Sequence, residues 1–152
     1  RLLHALWLFD QAPHDLLEAQ SCFIQAIADL YIRHAQTHYA PKPLKHNPAI
    51  IRKACELIRT RATENLSLEE IAREVGLSRF HFLRLFKAST GLSPHAYLLL
   101  RRLELVKALI EQGYPLVQTA HEAGFADQSH MTRRFKSAYG ITPGQYQQAL
   151  FK

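Results

Sequence analysis

Arg79, Arg84, Gln128 and Arg133 are the side chains of this sequence best equipped for recognition chemistry. Arginine presents two parallel donors that match guanine O6 and N7 or a phosphate, and glutamine pairs a donor with an acceptor as adenine requires. Arg84 and Arg133 are each followed three residues later by a lysine, Lys87 and Lys136, so each arginine shares a helical face with a second cation. Other reactive types are poorly placed. His34 and His38 stand four apart, which is metal-ligand spacing, but no third or fourth ligand lies nearby. Cys22 and Cys55 are too few for a disulfide framework and point to a reducing compartment. Both fall near apolar helical faces, away from the electropositive, exposed setting that activates a thiol. No catalytic residue, metal or cofactor is therefore expected.

Those side chains need a scaffold, and the composition allows one. The chain has 152 residues, 47% apolar and 21% charged, with a net charge of +6. This is enough apolar content for one packed domain or two small ones, and too much for a disordered chain. No apolar run reaches the roughly 20 residues a membrane crossing needs. The charge is uneven. Residues 1–44 hold three basic and four acidic groups, whereas the remainder holds 16 basic and nine acidic ones. A basic segment beside a near-neutral one points to a polyanionic partner for the second part alone. The break falls at Ala40-Pro41-Lys42-Pro43-Leu44, where two prolines favour an extended tether. With Arg1 at its start and Met131 its only methionine, the chain is expected to be the back portion of a longer protein.

The apolar spacing predicts helices throughout and no strand. Before the tether, Leu2, Leu3, Leu6 and Trp7 form one short face, and Leu16, Phe23, Ile27 and Leu30 a longer one. Such a pair cannot bury both faces alone, so residues 1–44 are expected to pack on an upstream region or a second copy. After it, Asn47-Pro48 opens a helix burying Ile51, Ala54, Cys55 and Ile58. Ser67-Leu68-Glu69-Glu70 is a capping box, Gly76 a helix stop, Ser78 a new cap, and Ser93-Pro94 the start of a longer helix.

The tail repeats the middle. At an offset of 48, Leu68, Ala72, Glu74 and Gly76 meet Leu116, Ala120, Glu122 and Gly124. At an offset of 49, His81, Arg84, Phe86, Lys87, Gly91, Pro94 and Tyr97 meet His130, Arg133, Phe135, Lys136, Gly140, Pro143 and Tyr146. Eleven identities that keep the turn residues mean two copies of one unit: a short helix, a glycine turn and a basic second helix.

These residues resemble the DNA-binding domain of the AraC/XylS family of bacterial transcription regulators, over about Asn47 to Tyr146. The second copy carries the more specific match, through Ala120-His-Glu-Ala-Gly-Phe125, Asp127-Gln-Ser-His130, Arg133-Arg-Phe-Lys136 and Tyr139-Gly-Ile-Thr-Pro143. The resemblance implies an all-α fold of two three-helix helix-turn-helix subdomains joined by a linker helix and preceded by a helical hairpin segment. It places the first helix-turn-helix at about 68–89, the linker at 93–111 and the second at 116–138, within a DNA-binding domain of 45–152. It implies two recognition helices in successive major grooves on one DNA face, and makes residues 1–44 the end of an effector or dimerisation region. Expected partners are double-stranded DNA, a second copy of the chain through residues 1–44 and the region upstream, and RNA polymerase. No membrane is expected, and the location is the bacterial cytoplasm, at the nucleoid.

A recognition helix buries one face and offers the other. With Phe82, Leu85 and Phe86 inward, Arg79, Phe80, Leu83, Arg84 and Lys87 are expected outward. With Met131 and Phe135 inward, Gln128, Ser129, Thr132, Arg133 and Lys136 face out. Base reading is assigned to Arg79, Phe80, Arg84, Gln128 and Arg133, with Leu83, Ser129 and Thr132 in support. Ser78, Lys87, Lys136 and Thr142, near helix ends, are assigned to phosphates. His81 and His130 are expected to pack rather than read. Arg134 stands where the repeat predicts an apolar group, and the sequence leaves Arg101 and Arg102 between phosphate contact and plain solubility.

Two other functions compete. A sequence-blind architectural DNA binder would rest on phosphate contacts and show steep salt dependence, but Gln128 and Phe80 carry no charge to neutralise phosphates. A methyl-accepting repair enzyme would need an activated thiol, and neither cysteine is placed to be one.

Overall fold

The computed structural model describes residues 48–151. Seven helices and no strand occur among them: α1 Pro48–Thr60, α2 Leu68–Glu74, α3 Arg79–Thr90, α4 Pro94–Glu111, α5 Leu116–Glu122, α6 Gln128–Tyr139 and α7 Pro143–Leu150. The chain divides into two compact units. Residues 1–44, with His34, His38, Cys22 and the expected helical hairpin, lie outside the described residues, as does the Asn47 cap.

The first unit contains residues 48–60 and 66–97. Its first helix, α1, opens on proline, whose missing N–H costs nothing at that position. It buries Ile51, Ala54 and Ile58 and leaves Cys55 half-buried. At the start of α2 the Ser67 hydroxyl accepts from the Glu70 N–H at 3.1 Å, and the Glu70 carboxylate accepts from the Ser67 N–H at 2.8 Å. That reciprocal pair fixes the entry to a helix of only seven residues. Lys53 donates from Nζ to the Glu74 carbonyl at 2.6 Å, serving the far end of α2. Gly76, at φ +70°, then turns the chain into α3. Four side chains of α3 are buried, Phe82, Leu83, Leu85 and Phe86, and Phe86 meets Tyr97 edge-on at 5.6 Å.

The second unit contains residues 61–65 and 98–151. Leu103, Val106, Ile110, Ala120, Ala123, Phe125, Met131 and Phe135 form its core. Arg102 is buried in this unit, donating from Nε to the Ala62 carbonyl at 2.8 Å and from Nη2 to the Glu64 carbonyl at 2.9 Å. The sequence left Arg102 between phosphate and solvent, but its partners are the carbonyls of a loop. Gly124, at φ +78°, has the turn role of Gly76, with a tighter fit: a Cβ there would lie 2.7 Å from the Thr63 carbonyl oxygen. Tyr146 donates from its hydroxyl to Glu111 at 2.6 Å, and the Lys107 ammonium sits over the Tyr139 and Tyr146 rings, joining α4, α6 and α7. Only Met131 and Phe135 of α6 are buried. Burying one such side chain contributes about 1.5–3 kcal/mol, so α6 gains less from apolar burial than α3, which buries four.

Candidate nucleic-acid interface

The repeated helices end alike. Ser78 precedes α3, its Oγ accepting from the His81 N–H at 3.4 Å, and Gly91 closes the helix at φ +76° with its N–H on the Lys87 carbonyl. Asp127 precedes α6, its carboxylate accepting from the His130 N–H at 2.7 Å, and Gly140 closes it at φ +78° on the Lys136 carbonyl. The His130 N–H holds the Asp127 carboxyl below its ordinary value. Neither helix contains an acidic residue.

On α3, Arg79, Phe80, His81, Arg84 and Lys87 are exposed, Phe80 by 44%. Leu83 is not among them. Only 4% of it is exposed, which corrects its expected outward position. The inward residues 82, 83, 85 and 86 sweep roughly 160° at 3.6 residues per turn, so Leu83 closes the edge of a wide buried arc. On α6 the arc is narrower. Thr132, the counterpart of Leu83, is half-buried, as is Gln128, while Ser129, Arg133 and Lys136 are exposed. Arg84 and Arg133 thus both face outward from matching positions, each with its lysine one turn on.

The remaining assigned residues have local partners. Ser78 is the α3 cap. Thr142 caps α7, its Oγ1 accepting from the Gln145 N–H and donating to Gln145 Oε1, each at 3.2 Å. His130 is half-buried, packed edge-on against Phe125 and accepting at Nε2 from Arg134 Nε at 3.2 Å. This gives Arg134 a partner where the repeat predicted an apolar residue. His81, by contrast, is exposed and not packed away. Among the relationships that escape sequence reasoning are the Arg102 grip on the 61–65 loop and an ion pair in which Arg79 Nη1 lies 3.5 Å from Glu69 Oε2. A capping box explains Glu70 and leaves the exposed Glu69 without a role, which is the only hint the sequence offers.

Among the described residues, no group of three or more His, Cys, Asp or Glu is placed to hold a metal ion, and no helix is long and apolar enough to cross a membrane.

The family described as "Helix-turn-helix domain" matches residues 71–149. The probable transcriptional regulator LumQ of Photobacterium leiognathi is 39% identical over 85 residues, covering 55% of this chain and 34% of LumQ. A crystal structure of a transcriptional regulator with an AraC-type DNA-binding domain, from Chromobacterium violaceum, aligns at a TM-score of 0.64 and 30% identity, covering 68% of this chain and 93% of that one. The DNA-binding domain of AdpA, a global transcriptional factor solved in complex with a target DNA, aligns at 0.58 and 26% identity, covering 70% and 91%. Among the curated relatives it matches first, the chain spans 34% to 65% of their length.

Proposed function

This chain belongs to the AraC/XylS family of helix-turn-helix regulators, and on that footing we propose that it regulates transcription by binding double-stranded DNA sequence-specifically. In this mechanism α3 and α6 are the recognition helices, entering successive major grooves. Arg79, Phe80 and Arg84 read bases in the first groove, and Gln128, Ser129, Thr132 and Arg133 in the second. Leu83, being buried, leaves the set. Lys87 and Lys136 neutralise phosphates, as do the positive helix ends at Ser78 and Thr142.

The carrying observation is the matched pair of exposed cations on two acid-free helices, Arg84 with Lys87 and Arg133 with Lys136. A ridge of this kind attracts a polyanion, while Phe80 and Gln128 on the same helices add groups suited to a thymine methyl and to an adenine edge. The AdpA domain on its target DNA supports DNA as the ligand. Residues 1–44 serve self-association, RNA polymerase is the downstream partner, the protein acts at the bacterial nucleoid, and the chain itself catalyses nothing.

The test is selection of bound duplexes from a random-sequence pool at physiological salt. Sequence-specific recognition predicts one enriched site held about a thousandfold or more above random duplex. Equal binding to all sequences with steep salt dependence would make the chain an architectural binder instead.

A further inference from the structure

We propose that Glu69 is a specificity-determining positioning residue that aims Arg79 and holds it away from phosphates. The inference rests on the base-reading role of Arg79 given above. Glu69 is the second residue of α2 and Arg79 the first of α3, so the glycine turn between them brings the two together. Arg79 Nη1 and Glu69 Oε2 are 3.5 Å apart, with side chains 51% and 62% exposed. An ion pair so open to water adds little to folding, and its groups stand open to an approaching ligand. They share the rim of an open depression of about 510 Å³ at the turn, lined also by Arg73, Gly76 and Ser78.

The chemistry is directional. A carboxylate at Nη1 leaves the Nε–Nη2 edge of the guanidinium, the same pair of donors with which Arg102 grips two carbonyls. Two donors on one edge match guanine O6 and N7. The carboxylate meanwhile repels phosphate and offsets part of the charge on Arg79, so contact with arbitrary DNA is weakened.

The internal repeat supplies a control. At the same offsets that align the two copies, Glu69 corresponds to Val117 and Arg79 to Gln128. The acid is present where the reader is an arginine and absent where the reader is a neutral amide. Val117 is 71% exposed, so burial does not explain why a valine replaces the acid.

The experiment measures affinity of the 152-residue chain for a duplex selected from a random pool and for random duplex, in Glu69→Gln, Glu69→Asp, Arg79→Ala and the Glu69→Gln/Arg79→Ala double variant. Circular dichroism confirms that each is folded. Glu69→Gln is expected to tighten random DNA and to lower the selected-to-random ratio by roughly three- to tenfold. Glu69→Asp, which keeps the charge, should retain most of the ratio, and the effect of Glu69→Gln on that ratio should vanish in the Arg79→Ala background. An unchanged ratio in Glu69→Gln, or an equal change with and without Arg79, overturns the role of Glu69 alone. A ratio unmoved by Arg79→Ala overturns the base-reading role and this inference with it.

Discussion

Arg102 grips the Ala62 carbonyl from forty residues away, Nε to O at 2.8 Å, while its Nη2 takes the Glu64 carbonyl at 2.9 Å. One planar fork thus satisfies two acceptors of the 61–65 loop from inside the second unit, with only 8% of the arginine exposed.

Arg102→Met keeps the apolar stem and strands both carbonyls, so it should destabilise the second unit by about 2–4 kcal/mol in urea unfolding. Arg102→Lys retains the charge without the fork and should recover less than half of that loss. A loss within about 0.5 kcal/mol, the range of ordinary surface substitutions, would show the grip to be incidental.

The two turn glycines should differ. Gly76→Ala meets only the backbone cost of a positive φ, about 1–2 kcal/mol, because nothing lies within 4 Å of its added carbon. Gly124→Ala carries that cost plus a clash with the Thr63 backbone, whose oxygen would be 2.7 Å away. Thermal or urea unfolding should rank Gly124→Ala as clearly the worse, and the opposite order would contradict the packing of the 61–65 loop on this turn.

Arg84→Ala should weaken binding to the selected duplex by about 1–3 kcal/mol and relax preference at one position. Lys87→Ala should weaken selected and random duplexes alike and lower the salt slope by about one unit. Gel-shift titrations at three salt concentrations separate the two, and identical profiles would remove the distinction between reader and phosphate anchor.

Asp127 gives α6 an acid-sensitive cap. Its folded-state pKa lies below the ordinary carboxylate value, chiefly through the His130 N–H. The cap therefore contributes fully above the unfolded-state pKa of about 3.9, and the contribution is lost as pH falls through the lower folded-state value. The stability advantage of the unaltered chain over Asp127→Ala should hold from pH 7 to about 5 and shrink below about 4. An advantage independent of pH would show that the carboxylate charge is not what caps the helix.

Much of the scaffold is legible in the sequence because its signals are local. Ser67 and Glu70, Ser78, Gly91 and Gly140 each act within four residues, where side-chain chemistry decides the outcome. The repeat then transfers whatever is certain of one copy to the other. Leu83 is illegible for a different reason. The width of a buried arc depends on the neighbours a helix packs against, and α3 buries four side chains where α6 buries two. Arg102 is hidden further, since backbone carbonyls leave no mark in the amino-acid pattern. Glu69 and Arg79 meet only because of how the turn is folded, so spacing alone does not pair them.

Parallel site selection with Arg84→Ala and Arg133→Ala tests most directly whether two equivalent helices read two grooves. Each variant should lose preference at its own base positions, the two sets lying about one helical turn, 10–10.5 base pairs, apart. Loss of preference at the same positions in both variants, or a uniform fall in affinity with every preference intact, would contradict it.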